Sequence, residues 1–412
     1  MPGLQTTFNH AAPIHKMYSP EIVTGLKKKI IQKMIWLNIL AIAIKNGGSI
    51  AGGIKNLRRL KKLSNQYAYN LHLTKYQVVG NRYFYSYNAP AWPSASFNRY
   101  IIHMLGKVNE QATLTLHTLV FAITKKCGFK CEHCCEWGNL NRPEKLERSD
   151  LLQIIQRFQQ LGISQLQISG GEPLNRFDDI IFLLDHISTD IDCWMYTSGY
   201  QLNFEKASLL KKHGLRGLGI SLDDHDGSRH DRFRGKPGAF HRAIKACNYA
   251  TRAGLVVTFS ICATKDFITE DNLMAYAKLA KKHGVSFIQI MEPKAVGHYA
   301  DVDVTLSPQH IETLEAFYEK MNADEAYSSY PTVVYHGYYS RRIGCAGSGR
   351  DYLYVDTDGD VHSCPFCQKK LFNALEDGLI EHIANMRKVG CGLFSKSLPI
   401  KKSNDHTLIK TV

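Results

Sequence analysis

Leu119-Val120-Phe121-Ala122-Ile123-Thr124, followed by Lys125-Lys126-Cys127-Gly128-Phe129-Lys130-Cys131-Glu132-His133-Cys134, decides how this chain is read. The first six residues are apolar with β-branched members and predict a buried strand. The loop after it carries three thiols in a C-x3-C-x2-C spacing. Three thiolates on one short loop suit three corners of an iron–sulfur cube, leaving the fourth iron without a protein ligand and open to chelation by a small molecule. The competing uses of such thiols are a zinc knuckle or scattered structural cysteines.

Outward from this stretch, from about Thr115 to Pro293, short apolar segments alternate with amphipathic ones. Strands are expected at Leu119–Thr124, Gln165–Ser169, Cys193–Thr197, Gly217–Leu222, Val256–Cys262 and Phe287–Met291. Helical patterns such as Leu151–Leu161 and Leu273–His283 lie between them, the first with Leu151, Ile154, Ile155, Phe158 and Leu161 on one face. Six β-α units in series predict an α/β fold in which a parallel sheet curls into a partial (β/α)6, TIM-like barrel. Functional residues of such folds gather at the C-terminal ends of the strands. After the second strand stands Ser169-Gly170-Gly171-Glu172-Pro173. Its glycines permit close approach of the backbone to a ligand, its carboxylate accepts hydrogen bonds from an ammonium group, and its proline stiffens the exit.

The three-cysteine motif and the Gly-Gly-Glu-Pro motif, one β-α unit apart, resemble the signatures of the radical S-adenosylmethionine (radical SAM) superfamily, and the resemblance spans roughly residues 115–300. It implies that Cys127, Cys131 and Cys134 hold a 4Fe-4S cluster whose open iron is chelated by the amino and carboxylate groups of S-adenosylmethionine. It also implies an enzyme: one electron from the cluster cleaves the sulfonium to a 5'-deoxyadenosyl radical, which takes hydrogen from the substrate in an oxidation or a carbon-bond-forming reaction. His133, at a position where the family usually carries an aromatic residue, would lie beside the adenine. Gly170, Gly171, Glu172 and Pro173 would meet the methionine amine, with Glu172 as the acceptor. Ile220-Ser221-Leu222-Asp223-Asp224 and His230 to Gly235 are similar to the fourth-strand region of the peptide- and cofactor-modifying branch. By that similarity Ser221 and Asp223 reach the ribose or carboxylate and Arg234 the carboxylate; the ordinary alternatives are helix capping by Ser221 and Asp223 and an Arg234–Asp231 ion pair. Ile290 to Gly297 resembles the sixth-strand exit. No acid–base triad is required, because the protein's task is to exclude water and hold the target C–H bond. Cys135 is read as a packed extra thiol. An electron donor such as flavodoxin or ferredoxin is implied as a partner.

A second group of cysteines follows. Gly344-Cys345-Ala346-Gly347 leads into Asp351 to Val361, an apolar-turn-apolar pattern that predicts a β-hairpin turning at Asp358-Gly359, then Cys364-Pro365-Phe366-Cys367 and Cys391. This resembles the auxiliary-cluster domain called SPASM, or its shorter relative Twitch. The resemblance implies one auxiliary 4Fe-4S cluster on Cys345, Cys364, Cys367 and Cys391, since the C-x2-C-x5-C-x3-C run of a second cluster is absent. Zinc is the competing occupant of four thiolates.

The remaining features bound the reading. A chain of 412 residues with 44% hydrophobic content can hold two or three structural units. These are expected as a basic N-terminal extension (1–110), the barrel (111–300), a helical linker (301–340) and the second cysteine region with its tail (341–412). Seven of eleven cysteines fall into the two groups and no signal peptide opens the chain, which argues for reduced thiols in the cytoplasm. Residues 1–64 carry eleven Lys and Arg against one acid, Glu21, and so supply +10 of the net +14. Between the basic clusters Met34 to Ile44 is apolar, too short to span a bilayer, and reads either as an interfacial helix at the inner membrane face or as a helix packed on the barrel. No nucleic-acid motif accompanies the charge, so no nucleic acid is expected. Tyr83 to Pro93 is densely aromatic and suits either packing or an apolar path for substrate. The substrate class is expected to be a peptide or small metabolite, with a membrane lipid or isoprenoid as the alternative. A non-catalytic metal-binding scaffold is the reading of another class, against which the complete motifs weigh.

Overall fold

The computed structural model describes residues 20–68, 71–108 and 116–389. Its N-terminal part runs β1 (Glu21–Val23), α1 (Gly25–Gly47), α2 (Ile50–Ala68), β2 (Tyr76–Val79), β3 (Arg82–Phe84) and α3 (Ala95–Val108). The barrel follows as β4 (Thr118–Ala122), α4 (Arg148–Gln160), β5 (Gln165–Ser169), α5 (Phe177–His186), β6 (Asp192–Thr197), α6 (Phe204–Lys212), β7 (Leu215–Ser221), α7 (Gly227–Arg234), α8 (Ala239–Arg252), β8 (Val256–Cys262), α9 (Glu270–Lys282) and β9 (Phe287–Met291). The chain continues with α10 (Pro308–Ala323), β10 (Thr332–Tyr335), α11 (His336–Ile343), β11 (Tyr352–Val355), β12 (Asp360–His362), β13 (Phe372–Asn373) and α12 (Leu379–Val389).

The six expected strands pair in parallel in sequence order, β4 to β9, as an open, curled sheet. Apolar strands buried on both faces need helices outside, and α4 supplies one such cover with Leu151, Ile154, Ile155 and Phe158 fully buried. Both edges of the sheet are extended. The 301–340 stretch contains α10 and also β10, which pairs in parallel with β9; four residues, Thr332-Val333-Val334-Tyr335, are too short a run to be read as a strand from pattern alone. On the other edge β11 pairs in parallel with β4, and β12 and β13 follow antiparallel, so the expected hairpin is continuous with the barrel sheet. Its turn is where the sequence put it: Asp356 Oδ1 accepts from the backbone N–H groups of Asp358 and Asp360 at 2.8 and 2.9 Å, and Gly359 takes the left-handed φ of 82°.

The inner face of the sheet explains two strand glycines. Trp194 and Tyr196 on β6 stand opposite Gly217 and Gly219 on β7. A Cβ at either glycine would lie 2.5 Å from the facing ring, so the rings lie over bare backbone. At the start of the strands the Tyr83–Pro93 segment closes the barrel: Val79, Phe84, Tyr87 and Ala91 pack on Trp194, Val256, Phe287 and Val334. The aromatic density there is thus packing. Tyr87 also donates to or accepts from His336 at 3.0 Å, and Gln165 Nε2 donates to the Tyr87 carbonyl at 2.7 Å.

In the N-terminal part Ile31, Ile35, Ile39 and Ala43 recur every fourth residue of α1 and are buried against Leu60, Tyr76, Val78, Phe97 and Ile101. Gly53 lets α2 approach α1, since a Cβ there would lie 2.7 Å from Ile44 Cα. Lys75 ties this part to the barrel: its fully buried ammonium donates to the carbonyls of Met321 in the last turn of α10 and Tyr327 in the 3-10 turn that follows, both at 2.7 Å.

Candidate active site

The loop after β4 holds the three cysteines, and its conformation is set by partners on every side. Thr124 Oγ1 and the Lys125 N–H donate to Glu144, and Lys125 Nζ donates to Asp358 at 2.5 Å. Asn141, at φ 59°, pairs reciprocally with the backbone of Cys127, its amide oxygen accepting the N–H and its amide nitrogen donating to the carbonyl, both at 3.0 Å. Gly170 and Gly171 meet this loop directly. Gly171 N donates to Thr124 O at 2.6 Å and Glu172 N to Lys126 O at 2.8 Å, while a Cβ on Gly170 or Gly171 would sit 2.8 or 2.5 Å from those same oxygens. The two glycines therefore serve first the close approach of two backbones. Pro173 is buried at the first position of a short 3-10 turn, Pro173–Arg176.

Glu172 is buried and accepts from four donors: Thr197 Oγ1 at 2.6 Å, Leu174 N at 3.2 Å, Ser198 N at 2.8 Å and Ser198 Oγ at 2.5 Å. Four donors match the acceptor capacity of a carboxylate. Its side chain ties the loop after β5 to the loop after β6, a role that sequence reasoning did not assign to it.

The fourth-strand residues divide. Asp223 and Arg234 come together beneath the cysteine loop, with Asp223 Oδ2 3.5 Å from Arg234 Nη1, while Asp223 Oδ1 accepts from Cys262 N at 2.9 Å. The alternative Arg234–Asp231 pair is not formed, because Asp231 accepts from Gly238 N and Phe240 N at the start of α8. Nor does Ser221 or Asp223 cap α7; Asp226 does. Ser221 ends β7 on its inner face, opposite Ser260. The end of α7 pairs with the cysteine loop, Lys130 N donating to Arg234 O and Glu132 N to Phe233 O, both at 3.1 Å. His133 stacks on Phe233 with ring centroids 5.0 Å apart and 14° between planes. Burial pushes its pKa down to about 4.

The loop after β9 closes the other side. Gly297, at φ 62°, lies flat on the cysteine loop, and a Cβ there would collide with the Cys134 carbonyl and lie 2.7 Å from Cys135 Cα. His298 N binds Cys134 O at 2.9 Å, its Nδ1 lies 2.8 Å from Cys131 O, and its ring stacks on Trp137 at 3.8 Å. Asn141, Glu144 and His298 escaped sequence reasoning; a glycine–histidine pair just beyond a strand end was the available signal.

The thiols themselves are held protonated by burial, which pushes Cys127 up to about 11 and Cys134 up to about 12 and raises Cys131, where Arg234 opposes it. Metal ligation would deprotonate them. Three buried polar atoms around the loop have no hydrogen-bond partner: His133 Nδ1, Asp223 Oδ2 and Arg234 Nε. Asp223 Oδ2 has only its ion pair with Arg234, and buried polar atoms without hydrogen bonds beside three thiols leave capacity for a charged, polar ligand; thiols, a cation and a carboxylate are the donor types that an iron–sulfur cluster with an amino-acid-bearing cofactor would use.

The second cysteines lie one strand away. Ser348 N donates to Ser363 O at 2.9 Å, drawing the Cys345 loop to the end of β12, and Cys367 N donates to Cys364 O at 3.0 Å. Cys391 lies outside the described residues. Cys135 stands between the two groups: Gln368 Nε2 donates to its carbonyl at 3.4 Å, and burial, then the charges of Glu136, Cys134 and Cys364, push its thiol well up. A polar cavity of about 270 Å³ is lined by Glu136, Tyr354, Asp356, His362 and Cys367.

The family model of the radical SAM superfamily matches residues 121–290. The chain carries a radical SAM domain. Domains of this family use a 4Fe-4S cluster and S-adenosylmethionine. The first curated relative is matched over little more than half of its length. The chain is 28% identical over 218 residues to an AdoMet-dependent heme synthase of Nitratidesulfovibrio vulgaris, covering 51% of this chain and only 58% of that protein. It is 26% identical over 276 residues to the mycofactocin maturase MftC of Mycolicibacterium smegmatis, covering 64% and 69%. Among solved structures, SuiB of Streptococcus suis bound to S-adenosylmethionine superposes with a TM-score of 0.53 at 17% identity over 69% of each chain, which supports the open-barrel fold of the radical SAM domain.

Proposed function

We propose that the chain is a radical SAM enzyme that modifies a peptide. Cys127, Cys131 and Cys134 would ligate the 4Fe-4S cluster, and S-adenosylmethionine would lie between Gly170–Glu172, Asp223, Arg234 and His133. When bound, the cluster and cofactor supply one-electron chemistry that activates an inert C–H bond. The chain's own residues do the rest. Arg234, buried over the Phe129 ring at 5.7 Å and braced by Asp223, is a fixed cation for a carboxylate. The Phe233–His133 stack shields one flank of the loop from water. Glu172 holds two strand exits in register and leaves backbone carbonyls to meet an ammonium group. The observation that carries the reading is that three buried polar atoms without a hydrogen bond, His133 Nδ1, Arg234 Nε and the ion-paired Asp223 Oδ2, lie around the three-thiol loop.

The peptide class is supported by the relation to a maturase and by a second SuiB structure, which holds that protein's precursor peptide SuiA. Cys345, Cys364, Cys367 and Cys391 would hold one auxiliary cluster, and a flavodoxin or ferredoxin would supply electrons. The test is anaerobic reconstitution followed by reduction with S-adenosylmethionine and deuterated candidate substrates. The enzyme reading fails if 5'-deoxyadenosine does not exceed that of Cys127→Ala. The peptide reading alone fails if deuterium reaches 5'-deoxyadenosine from a porphyrinogen or lipid and never from peptide.

A further inference from the structure

The helix α1 is apolar on two opposite faces. One is spent on the core through Ile31, Ile35, Ile39 and Ala43. The other carries Leu26, Ile30, Met34 and Leu37, which remain 75%, 51%, 48% and 65% exposed, and Ile50 and Ile54 of α2 are exposed at 68% and 39%. The first four fall on one stripe at intervals of three and four residues, and none of them belongs to any core cluster of the described residues. On a helical projection Lys29 and Lys33 flank the stripe on one side and Lys27 and Lys45 on the other. Across α1 and α2 there are ten Lys and Arg and no Asp or Glu. Lys28, on the core side, is half-buried with its ammonium 5.7 Å from the Tyr76 ring.

A stripe of large aliphatic side chains costs solubility unless something covers it. Its form and its borders select the occupant. A peptide partner binds in a groove, whereas this stripe is the convex outer ridge of one helix. Cations stand on both flanks, with Glu21 paired to Lys27 as the one acid beside them, and this basic excess complements a plane of negative charge into which aliphatic side chains can sink while the lysine stems reach outward. No helix of the described residues is long and apolar enough to cross a membrane, so the helix would lie in the plane of the surface. We propose that the outer face of α1 docks the chain on an anionic lipid bilayer. This goes beyond the enzymatic reading and stands or falls separately from it.

The test is co-sedimentation of the full chain with phosphatidylcholine vesicles, with and without phosphatidylglycerol. Binding is expected only with the anionic lipid. It should weaken at least about tenfold in Ile30→Asp/Leu37→Asp. In Lys29→Gln/Lys33→Gln it should weaken about fivefold per lysine at low salt, and it should fade at high salt. All four side chains are exposed, so the melting temperatures should match wild type, and a lowered one is replaced by the same measurement on Leu26→Gln/Leu37→Gln. The proposal is overturned by equal affinity for neutral and anionic vesicles, by undiminished binding of the aspartate variant, or by an acidic polypeptide that binds as well as the vesicles. A lipid-free dimer that the aspartate substitutions dissolve, without vesicle binding by wild type, would assign the face to a second copy of the chain and overturn it too.

Discussion

A methyl group on Gly297 has no space to occupy, because the Cys134 carbonyl and the Cys135 backbone fill it. Gly297→Ala should therefore push the loop after β9 off the cysteine loop and strip His298 from Cys131 and Cys134, while the remote core is untouched. Iron and sulfide bound per chain after reconstitution should fall several-fold, with circular dichroism unchanged; full incorporation would show that the contact is dispensable. At this scale the sequence was legible in placement, since Cys127, Cys131 and Cys134 do lie on one loop after the first barrel strand. It was less so where a residue serves two masters. Gly170 and Gly171 were read as making room for a ligand, yet the nearest atoms to a Cβ on either belong to Thr124, Lys126 and Cys127. Glu172 was read as an acceptor for an ammonium group, and its carboxylate is filled by the chain's own donors. Sequence names the residue type, and only packing names the partner.

Among the elements, the barrel strands and α4 were legible because each has a period that only one secondary structure satisfies. The short strand β10 was not, and neither was the anchor of the N-terminal part. Lys75 looks like one more cation in a basic chain, yet it is fully buried and holds one carbonyl in the last turn of α10 and one in the 3-10 turn after it, where burial lowers its pKa to about 7. Charge counting cannot distinguish a solvated lysine from one that caps a helix. Lys75→Met keeps the volume and removes the donors, leaving two buried acceptors unpaired. It should cost about 2–3 kcal/mol in urea unfolding, and a change below the error of that measurement would refute the role.

The whole molecule carries a further consequence of burial. His103, His117 and His230 are buried, and burial holds their native pKa values near 3, 3 and 4. The unfolded chain binds these protons near pH 6.5, so the native pKa values are depressed. Stability is then complete above that pH and is lost as the pH falls toward the native values. Three such groups should remove about 5 kcal/mol between pH 7 and 5, a large share of a typical total. Urea midpoints across that interval should fall steeply, with a shallower fall in His117→Gln, whose ring bridges Ser164 and Asn88 at 2.6 Å each; a flat profile would contradict the assignment. None of this was visible in the histidine count, because burial belongs to the assembled fold.

The aromatic seal formed by Phe84, Tyr87, Trp194 and Phe287 sets one last condition on traffic. These rings fill the end of the sheet where the strands begin, so that end offers no passage, and whatever reaches the loops around Cys127, Cys131 and Cys134 must come from elsewhere.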